Sequence, residues 1–332
     1  MKNQNSLLLF IMLLIAVSCG NLRDTDTPQG ELNESEILLA YLEENGNLIN
    51  SASVPALVDA DYVAGMLHGN NIHIIDLRPA REYAAGHIEH SVNIEPGAIL
   101  EHFEQRIEPN SFELIVLVCQ NAMLSTYVNS VMLLMGYDNV VSLRYGLSSW
   151  DQEIAGRNWL DARSSHLEGR LETSPEFKNP PGRLPVINTG EISGYRILRA
   201  RAKEVLAMDT EELNKGIEDV MEEPDSFYII NYWPQHLYNK GHLSSAIQYT
   251  PKSALHSDQY INTIPANRPV ITYCYTGHHS GYVTAFLRLL GYDAYNLPYG
   301  ANSFIYDTMQ SEMGGFRSFT TGHIHGLPLS AD

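Results

Sequence analysis

Cysteine is scarce in this chain, with only three among 332 residues: Cys19, Cys119 and Cys274. Cys19 ends an N-terminal apolar run, whereas the other two lie in different halves of the chain. Two cysteines in separate domains are poor candidates for a disulfide. Each of these two thiols therefore calls for a chemical explanation.

Positive charge is also in short supply. The chain has 21 lysines and arginines against 39 aspartates and glutamates, which gives a formal net charge of −18. Such a surface disfavours nucleic acid and anionic lipid surfaces as partners. A small anionic substrate remains compatible, because a binding loop can present local positive potential. The length suffices for two domains, and 44% hydrophobic with 18% charged residues is typical of a globular protein.

The apolar run at residues 7–17 is too short to span a bilayer, but it suits the core of a signal peptide. The end of the run and the two residues after it read Ala16-Val17-Ser18-Cys19. This sequence resembles a bacterial lipobox with Ala16 at the position where leucine is usual. The resemblance implies lipidation of Cys19, export, and anchoring to the cell envelope at the periplasmic face or cell surface. The alternative is simple secretion with cleavage near Ser18.

A repeat of 155 residues runs through the chain. Cys119 and Cys274 are separated by this distance, and so are several motifs on either side of them. The other pairs are Asp76 and Asn231, Tyr83 and Tyr238, Gly86-His87 and Gly241-His242, and Gly136-Tyr137-Asp138 and Gly291-Tyr292-Asp293. The chain is therefore a tandem duplication with one thiol at the same place in each copy.

The repeat and the composition shifts divide the chain into six segments. An acidic tether precedes a short helix at 36–44, and four prolines between 173 and 185 mark a linker. The predicted segments are a signal peptide (1–18), tether and short helix (19–53), domain 1 (54–160), linker (161–188), domain 2 (189–312) and tail (313–332).

Strands and helices alternate in both copies. Short apolar runs at 72–75 and 227–230 are typical of buried parallel strands, and the runs at 114–118 and 270–273 lead directly into the cysteines. After each cysteine, apolar residues recur with helical spacing until Gly136 or Gly291. This order predicts an α/β fold in each domain, with a central parallel sheet covered by helices on both faces.

The two copies resemble the rhodanese-like domain. In the first copy the resemblance is carried by Asp76-x-Arg78, Glu82-Tyr83, Gly86-His87-Ile88, the strand into Cys119, Gly136-Tyr137 and Gly146-Leu147-Ser148-Ser149-Trp150. In the second it is carried by Tyr238, Gly241-His242-Leu243, Ala246, Cys274 and Gly291-Tyr292-Asp293. The resemblance implies sulfur transfer through a persulfide on a loop cysteine. In many members, however, the domain is a binding or regulatory module without activity.

The loop after Cys274 fits this chemistry better than the loop after Cys119. Its glycine permits a tight turn, its hydroxyls can donate hydrogen bonds, and its histidines can supply positive charge if protonated. Amide groups at the helix N-terminus favour a thiolate and an anionic donor. We therefore expect Cys274 to be the catalytic thiol and the donor to contact Tyr275, Thr276, Gly277, His278, His279 and Ser280.

The loop after Cys119 has Ala122 where the turn glycine belongs and Leu124 at the cationic position, and none of its residues is charged. It is expected to be a degenerate, inactive copy in which Met123 and Leu124 pack against other side chains. The remaining members of this loop are Gln120, Asn121 and Ser125. Asp76 and Arg78 are interpreted as structural residues.

Two rival functions are disfavoured by the residues of the cysteine loops. A cysteine phosphatase needs an arginine six residues after the cysteine, where this chain has serine in both copies. A metal site would need Cys274, His278 and His279, with His323 and His325 of the tail, and adjacent histidines rarely bind one ion from a tight loop. We expect neither a metal nor another cofactor.

The serious alternative is a non-catalytic module anchored to the envelope that binds a partner protein or senses sulfur or redox state. The favoured reading is a sulfurtransferase that moves a sulfane sulfur from a small thiosulfate-like anion to a thiol or cyanide-like acceptor.

Overall fold

The computed structural model describes residues 33–68, 71–311 and 318–331. The predicted signal peptide, Cys19 and the first part of the tether lie outside the described residues. Within the three ranges given, no helix combines the length and apolar character that crossing a bilayer would require.

The first sheet has five parallel strands in the order β1-β5-β4-β2-β3. The central strands are rich in aliphatic residues, as expected for a sheet covered on both faces. The strands are β1 (Leu57–Val58), β2 (Ile72–Asp76), β3 (Val92–Asn93), β4 (Leu114–Val118) and β5 (Val140–Leu143).

The second sheet has four parallel strands in the order β7-β6-β8-β9, which repeats the order β3-β2-β4-β5 of the first. Its strands are β6 (Tyr228–Asn231), β7 (Ala246–Gln248), β8 (Val270–Tyr273) and β9 (Ala294–Asn296). In place of a counterpart to β1, the described residues have one isolated bridge between Asn214 and Asn296.

Helices cover both sheets. Those up to the end of domain 1 are α1 (Glu34–Glu44), α2 (Ala60–Met66), α3 (Ala80–Ala85), α4 (Ile99–Glu101), α5 (Met123–Leu134), α6 (Leu147–Trp150) and α7 (Gln152–Ala155). Those of domain 2 are α8 (Gly194–Leu206), α9 (Ile217–Glu222), α10 (Gln235–Tyr238), α11 (His278–Leu289) and α12 (Tyr306–Ser311). Two parallel sheets flanked by helices confirm the predicted fold class.

The two domains meet through the helices that follow their cysteines, α5 and α11. Gly281 lies so close to Thr126 that a Cβ at this glycine would come within 2.7 Å of the threonine hydroxyl. Ser130 Oγ donates a hydrogen bond of 3.1 Å to the carbonyl oxygen of Tyr282. Because these helices begin at the cysteine loops, their packing brings each loop beside the other domain.

Helix α1 is packed into the core, although the sequence assigns it to the tether segment. Its residues Leu38, Leu39 and Leu42 are buried, and Ser35 Oγ donates a hydrogen bond of 2.5 Å to the carbonyl oxygen of Pro185. The helix begins at residue 34, two residues before the predicted start. Its apolar face needs a partner, which the linker and domain 2 provide.

The C-terminal tail returns to domain 1. Ser330 and His87 form an antiparallel bridge, and Trp150 Nε1 donates a hydrogen bond of 2.9 Å to the carbonyl oxygen of Pro328. The ring of His323 lies 4.9 Å from that of Tyr145, between centroids. Residues 323–325 therefore lie against domain 1, where the amide of His325 donates a hydrogen bond of 2.9 Å to the carbonyl oxygen of Ser149.

Candidate functional site

Both cysteines directly follow a central strand and precede a helix. Cys274 comes after β8, and Gly277 reverses the chain with a φ of +79° before α11 begins. In the other copy Cys119 follows β4, and Ala122 takes the same left-handed conformation with a φ of +71°. The alanine, which was expected to mark a degenerate turn, thus leaves the path of the loop intact at the cost of local backbone strain.

A tyrosine-glycine pair closes each cysteine loop from the next strand. The amide of Ala301 donates to the carbonyl oxygen of Cys274 at 3.0 Å, and that of Leu147 donates to Cys119 at 2.8 Å. The glycines before these residues, Gly300 and Gly146, have positive φ, and a Cβ at either would lie 2.3 Å from the cysteine carbonyl oxygen. The glycine of each pair is therefore required by the close approach of two backbones.

Each sulfur atom lies beside the amide and the hydroxyl of the serine six residues further along the chain. Cys274 Sγ lies 3.4 Å from the amide nitrogen of Ser280 and 3.5 Å from its hydroxyl oxygen. Cys119 Sγ lies 3.4 Å from the amide nitrogen of Ser125 and 3.6 Å from its hydroxyl oxygen. Both cysteines are free thiols and are nearly buried, with 3% and 4% of their surface exposed. Among the described hydrogen bonds, one backbone amide, rather than a full ring of amides, contacts each sulfur, and Cys119 Sγ also lies 3.9 Å from Asn121 Oδ1.

Cys274 lies in the wall of a pocket of about 300 Å³ that both domains form. Domain 1 contributes Pro55, Leu57, Arg144 and Tyr145, and domain 2 contributes Lys252 and the loop residues Tyr275, Thr276, His278 and His279. The other two residues predicted to bind the donor, Gly277 and Ser280, are buried behind these.

Arg144 and Lys252 give this pocket two cations that the sequence reasoning missed. Arg144 Nε is 2.5 Å from Asp59 Oδ1, and its side chain is 39% exposed. Lys252 is exposed, and its ammonium group donates to the carbonyl oxygen of Ala52 at 3.2 Å. Neither residue belongs to a recognisable motif, and Arg144 lies in the other repeat, so the loop sequence contained no signal for them.

His278 does not supply the positive charge that was expected of it. Burial lowers its pKa to about 3, and the nearby charge of Arg144 acts in the same direction. Its ring packs against Tyr145 and Trp159, with centroids 5.2 and 5.5 Å away, and its Nδ1 lies 3.1 Å from Thr276 Oγ1. At neutral pH it is therefore an uncharged part of the pocket wall. His279 is half-buried, with its ring 4.8 Å from that of Tyr232.

Cys119 lies in a separate pocket of about 420 Å³, which is also formed by both domains. Its lining includes Glu82 from domain 1 and Glu211 from domain 2, while Leu124 occupies the position expected for a cation. Arg78 also lines this pocket, but its guanidinium forms an ion pair with Asp76, with 2.7 Å between Nη2 and Oδ2. It also donates a hydrogen bond to the carbonyl oxygen of Gly86. The two pockets thus differ in charge, although a serine amide and hydroxyl lie beside both sulfur atoms.

The tyrosine of each Tyr-Gly pair contacts the cysteine loop of the other domain. Tyr145 of domain 1 packs on His278 of the Cys274 loop, and Tyr299 of domain 2 accepts a hydrogen bond of 3.0 Å from Asn121 of the Cys119 loop. Burial raises the pKa of Tyr145 to about 12, so its phenol is neutral at physiological pH. Each cysteine loop is therefore held partly by the other copy.

Three further residues named from the sequence, Gln120, Asp76 and Arg78, lie in or near the Cys119 loop. Gln120 Nε2 donates to Glu82 Oε2 at 2.5 Å, and Asp76 and Arg78 form a buried ion pair below the Cys119 loop. No three histidine, cysteine, aspartate or glutamate side chains converge as metal ligands in the described parts of the chain. Cys19 lies outside those parts.

The sequence model of the family described as "Rhodanese-like domain" matches this chain twice, at residues 59–153 and 202–306. No curated protein matches the chain. Among solved structures, it is similar to a thiosulfate sulfurtransferase from Pseudomonas aeruginosa (15% identity, 79% of this chain and 46% of that one, TM-score 0.30). It is also similar to the 3-mercaptopyruvate sulfotransferase SseA from Escherichia coli (18% identity, 73% of this chain and 97% of that one, TM-score 0.26).

Proposed function

Because the chain belongs to the rhodanese-like domain family, we propose that it is a sulfurtransferase whose reactive thiol is Cys274. The observation that carries this proposal is the presence of the Cys274 sulfur and two cations, Arg144 and Lys252, in the wall of one pocket. An anionic donor in this pocket would meet both positive charges beside the nucleophile. The pocket of Cys119 has Glu82 and Glu211 at its wall, and its Arg78 is ion-paired with Asp76, which disfavours the same donor.

The reaction begins when the Cys274 thiol loses its proton to solvent. The thiolate attacks the outer sulfur of a thiosulfate-like donor, so that a bond forms between the two sulfur atoms. The bond between the donor's sulfurs breaks, and sulfite leaves with the electron pair. A thiolate or cyanide-like acceptor then attacks the outer sulfur of the persulfide, and Cys274 departs as the thiolate.

During these reaction steps, side chains and one backbone amide of the protein stabilise negative charge. Arg144 and Lys252 offset the negative charge of the donor and of the leaving sulfite. The Ser280 amide, 3.4 Å from the sulfur, donates to the anionic sulfur at the start of α11, where the helix dipole also favours negative charge. Tyr145 and Tyr275 supply the aromatic part of the pocket wall.

The second candidate is a non-catalytic module that binds a partner or senses sulfur or redox state. The low exposure of Cys274, at 3%, favours it, because a donor must enter the pocket fully before it can reach the sulfur. The same pocket would then recognise an anionic group of a ligand without a covalent step.

Intact-mass spectrometry of the soluble chain after incubation with thiosulfate distinguishes the two candidates. A sulfurtransferase gains one sulfur atom, and the gain is lost in Cys274→Ser but kept in Cys119→Ser, which serves as the matched control. If thiosulfate, polysulfide and 3-mercaptopyruvate all leave the mass unchanged, the sulfurtransferase proposal is wrong and the binding module stands.

The proposed location is the bacterial cell envelope, with a lipid anchor on Cys19. The support is the lipobox-like sequence at residues 16–19 that follows a short apolar run. Expression of the full chain should give a membrane-associated product whose N-terminal peptide carries a lipid mass. A Cys19→Ala variant that fractionates and migrates as the unchanged chain does would contradict the anchor.

A further inference from the structure

A line of hydrogen-bonding groups runs from the Cys274 sulfur to the other domain. The hydroxyl oxygen of Ser280 lies 3.5 Å from the sulfur and 2.6 Å from Asn296 Oδ1. Asn296 Nδ2 lies 3.5 Å from Met123 Sδ, which belongs to the Cys119 loop. All four residues are buried, so water does not compete for these groups.

The Ser280 hydroxyl has one hydrogen to donate. Asn296 Oδ1 is the nearer and stronger acceptor, at 2.6 Å against 3.5 Å for the sulfur. The hydrogen therefore points to Asn296, and a lone pair of the hydroxyl oxygen faces Cys274. A lone pair in this position accepts a hydrogen bond from a neutral thiol but repels a thiolate.

Met123 fixes the orientation of the Asn296 amide. A thioether sulfur is only an acceptor, so it pairs with the NH₂ group of Asn296 and leaves the oxygen for Ser280. The reverse orientation would place the amide oxygen against the thioether, with two acceptors in contact. The line of contacts that starts at the Cys274 sulfur thus ends on a side chain of domain 1.

The domain 1 copy offers a natural comparison. There Ser125 takes the place of Ser280, and its hydroxyl lies 2.6 Å from that of Ser142, which takes the place of Asn296. Ser142 has a hydrogen of its own and can donate to Ser125. The Ser125 hydrogen is then available to Cys119 as the sulfur becomes negative.

We propose that Asn296 is a positioning residue that holds Cys274 in its neutral form through Ser280, and that Met123 of the other domain fixes its amide. This regulation of the reactive thiol rests on the proposed function of Cys274. A neutral resting sulfur does not repel an incoming anion, and the thiolate forms at the expense of the Ser280–Asn296 hydrogen bond.

Other titratable groups line the same pocket or, like Tyr232, interact electrostatically with the thiol. They are Arg144 and Tyr145 of domain 1, and Tyr232, Lys252, His278 and His279 of domain 2. The ring of Tyr275 stacks on Trp233 at 5.2 Å. None of the described hydrogen bonds joins these groups to Asn296. Substitution of Asn296 therefore changes the contacts between Ser280 and residue 296 and leaves these titratable groups in place.

The test is the pH dependence of iodoacetamide labelling in the full chain, resolved to each cysteine by peptide mass spectrometry. In Asn296→Ser the pH midpoint for Cys274 should fall by about one unit, as expected for a new hydrogen bond to a charged group. The reciprocal Ser142→Asn should raise the midpoint for Cys119. Met123→Leu should shift the Cys274 midpoint in the same direction as Asn296→Ser, but less.

Ser280→Ala supplies the decisive control, because without the hydroxyl the identity of residue 296 should no longer matter. A double variant that still shifts relative to Ser280→Ala, or an Asn296→Ser midpoint equal to that of the unchanged chain, would overturn the inference. The labelling needs no sulfur donor. Failure to form a persulfide would therefore sink the sulfurtransferase proposal without altering this result.

Discussion

The phenol of Tyr299 accepts a hydrogen bond of 3.0 Å from the side-chain amide of Asn121, although the two residues belong to different domains. Asn121 lies two residues after Cys119, and Tyr299 precedes the glycine that closes the loop of Cys274. Through this hydrogen bond and the packing of Tyr145 on His278, each domain completes the surroundings of the other domain's thiol. A single copy would therefore have an open and less ordered cysteine loop.

The Asn121–Tyr299 contact should be measurable as a coupling between the domains. In a double-mutant cycle of Asn121→Ala and Tyr299→Phe, urea unfolding should give an interaction free energy of about 0.5–1.5 kcal/mol. The reason is that the hydrogen bond is partly buried and has no described substitute. Tyr62→Phe, at an exposed tyrosine, should show no coupling to Asn121→Ala. Additive effects of the first pair would contradict the role given to this contact.

Arg144 should assist the loading of Cys274 by anionic donors. Arg144→Ala is expected to slow the appearance of the thiosulfate-derived sulfur adduct by roughly five- to tenfold, because one of two cations beside the donor is lost. The effect should shrink at high salt. Asp59→Asn removes the ion-pair partner of Arg144 but keeps the cation, so it should not slow loading. Equal loss in both variants would indicate damage to the pocket rather than a missing charge.

His278 should make the stability of the protein depend on pH. Its pKa falls from 6.5 in the unfolded chain to about 3 in the folded protein, so the unfolded chain binds more protons between these values. Its contribution is therefore complete above about pH 6.5 and is lost as the pH falls towards 3, with a slope of up to about 1.4 kcal/mol per pH unit. Urea unfolding of His278→Gln should show a flatter profile between pH 7 and pH 5. His236→Gln, at an exposed histidine, should keep the profile of the unchanged chain.

Gly300 should tolerate no side chain. Gly300→Ala places a Cβ 2.3 Å from the Cys274 carbonyl oxygen and also strains a backbone with a φ of +53°. We expect a loss of about 2–4 kcal/mol in the free energy of unfolding. Gly136→Ala is the matched control, because it has a φ of +98° but nothing within 4 Å of the added Cβ. It should lose only about 1 kcal/mol. Similar losses at both sites would show that the close approach to Cys274 is not limiting.

The positions of the central strands and of the helices after the cysteines, α5 and α11, could be predicted closely from the sequence. The strands before Cys119 and Cys274 have the predicted bounds, because a buried parallel strand is a continuous apolar run. Strand β6 begins one residue later than predicted, since Phe227 is apolar but lies outside the ladder. Helix α1 was predicted, but its packing was not, because its partners lie about 150 residues further along the chain.

Prediction of the Cys119 loop from residue types was less successful. Ala122 suggested a broken turn, yet the closing backbone at Gly146 holds it in the left-handed conformation of its glycine counterpart. The sequence shows that the loop itself is uncharged. The carboxylates in the wall of the Cys119 pocket belong to Glu82 and Glu211, which lie outside the loop. Neighbours supplied by other segments decide the electrostatics of a pocket.

The sequence by itself determined the duplication, the α/β fold and the place of each thiol between a strand and a helix, because these follow from local patterns that occur twice. Only the tertiary structure decided which groups surround each sulfur. Arg144 and Met123 reach the Cys274 site from the other copy through the packing of α5 on α11. The 155-residue repeat puts identical elements in both copies, but contacts across their interface depend on the relative position of two folded domains.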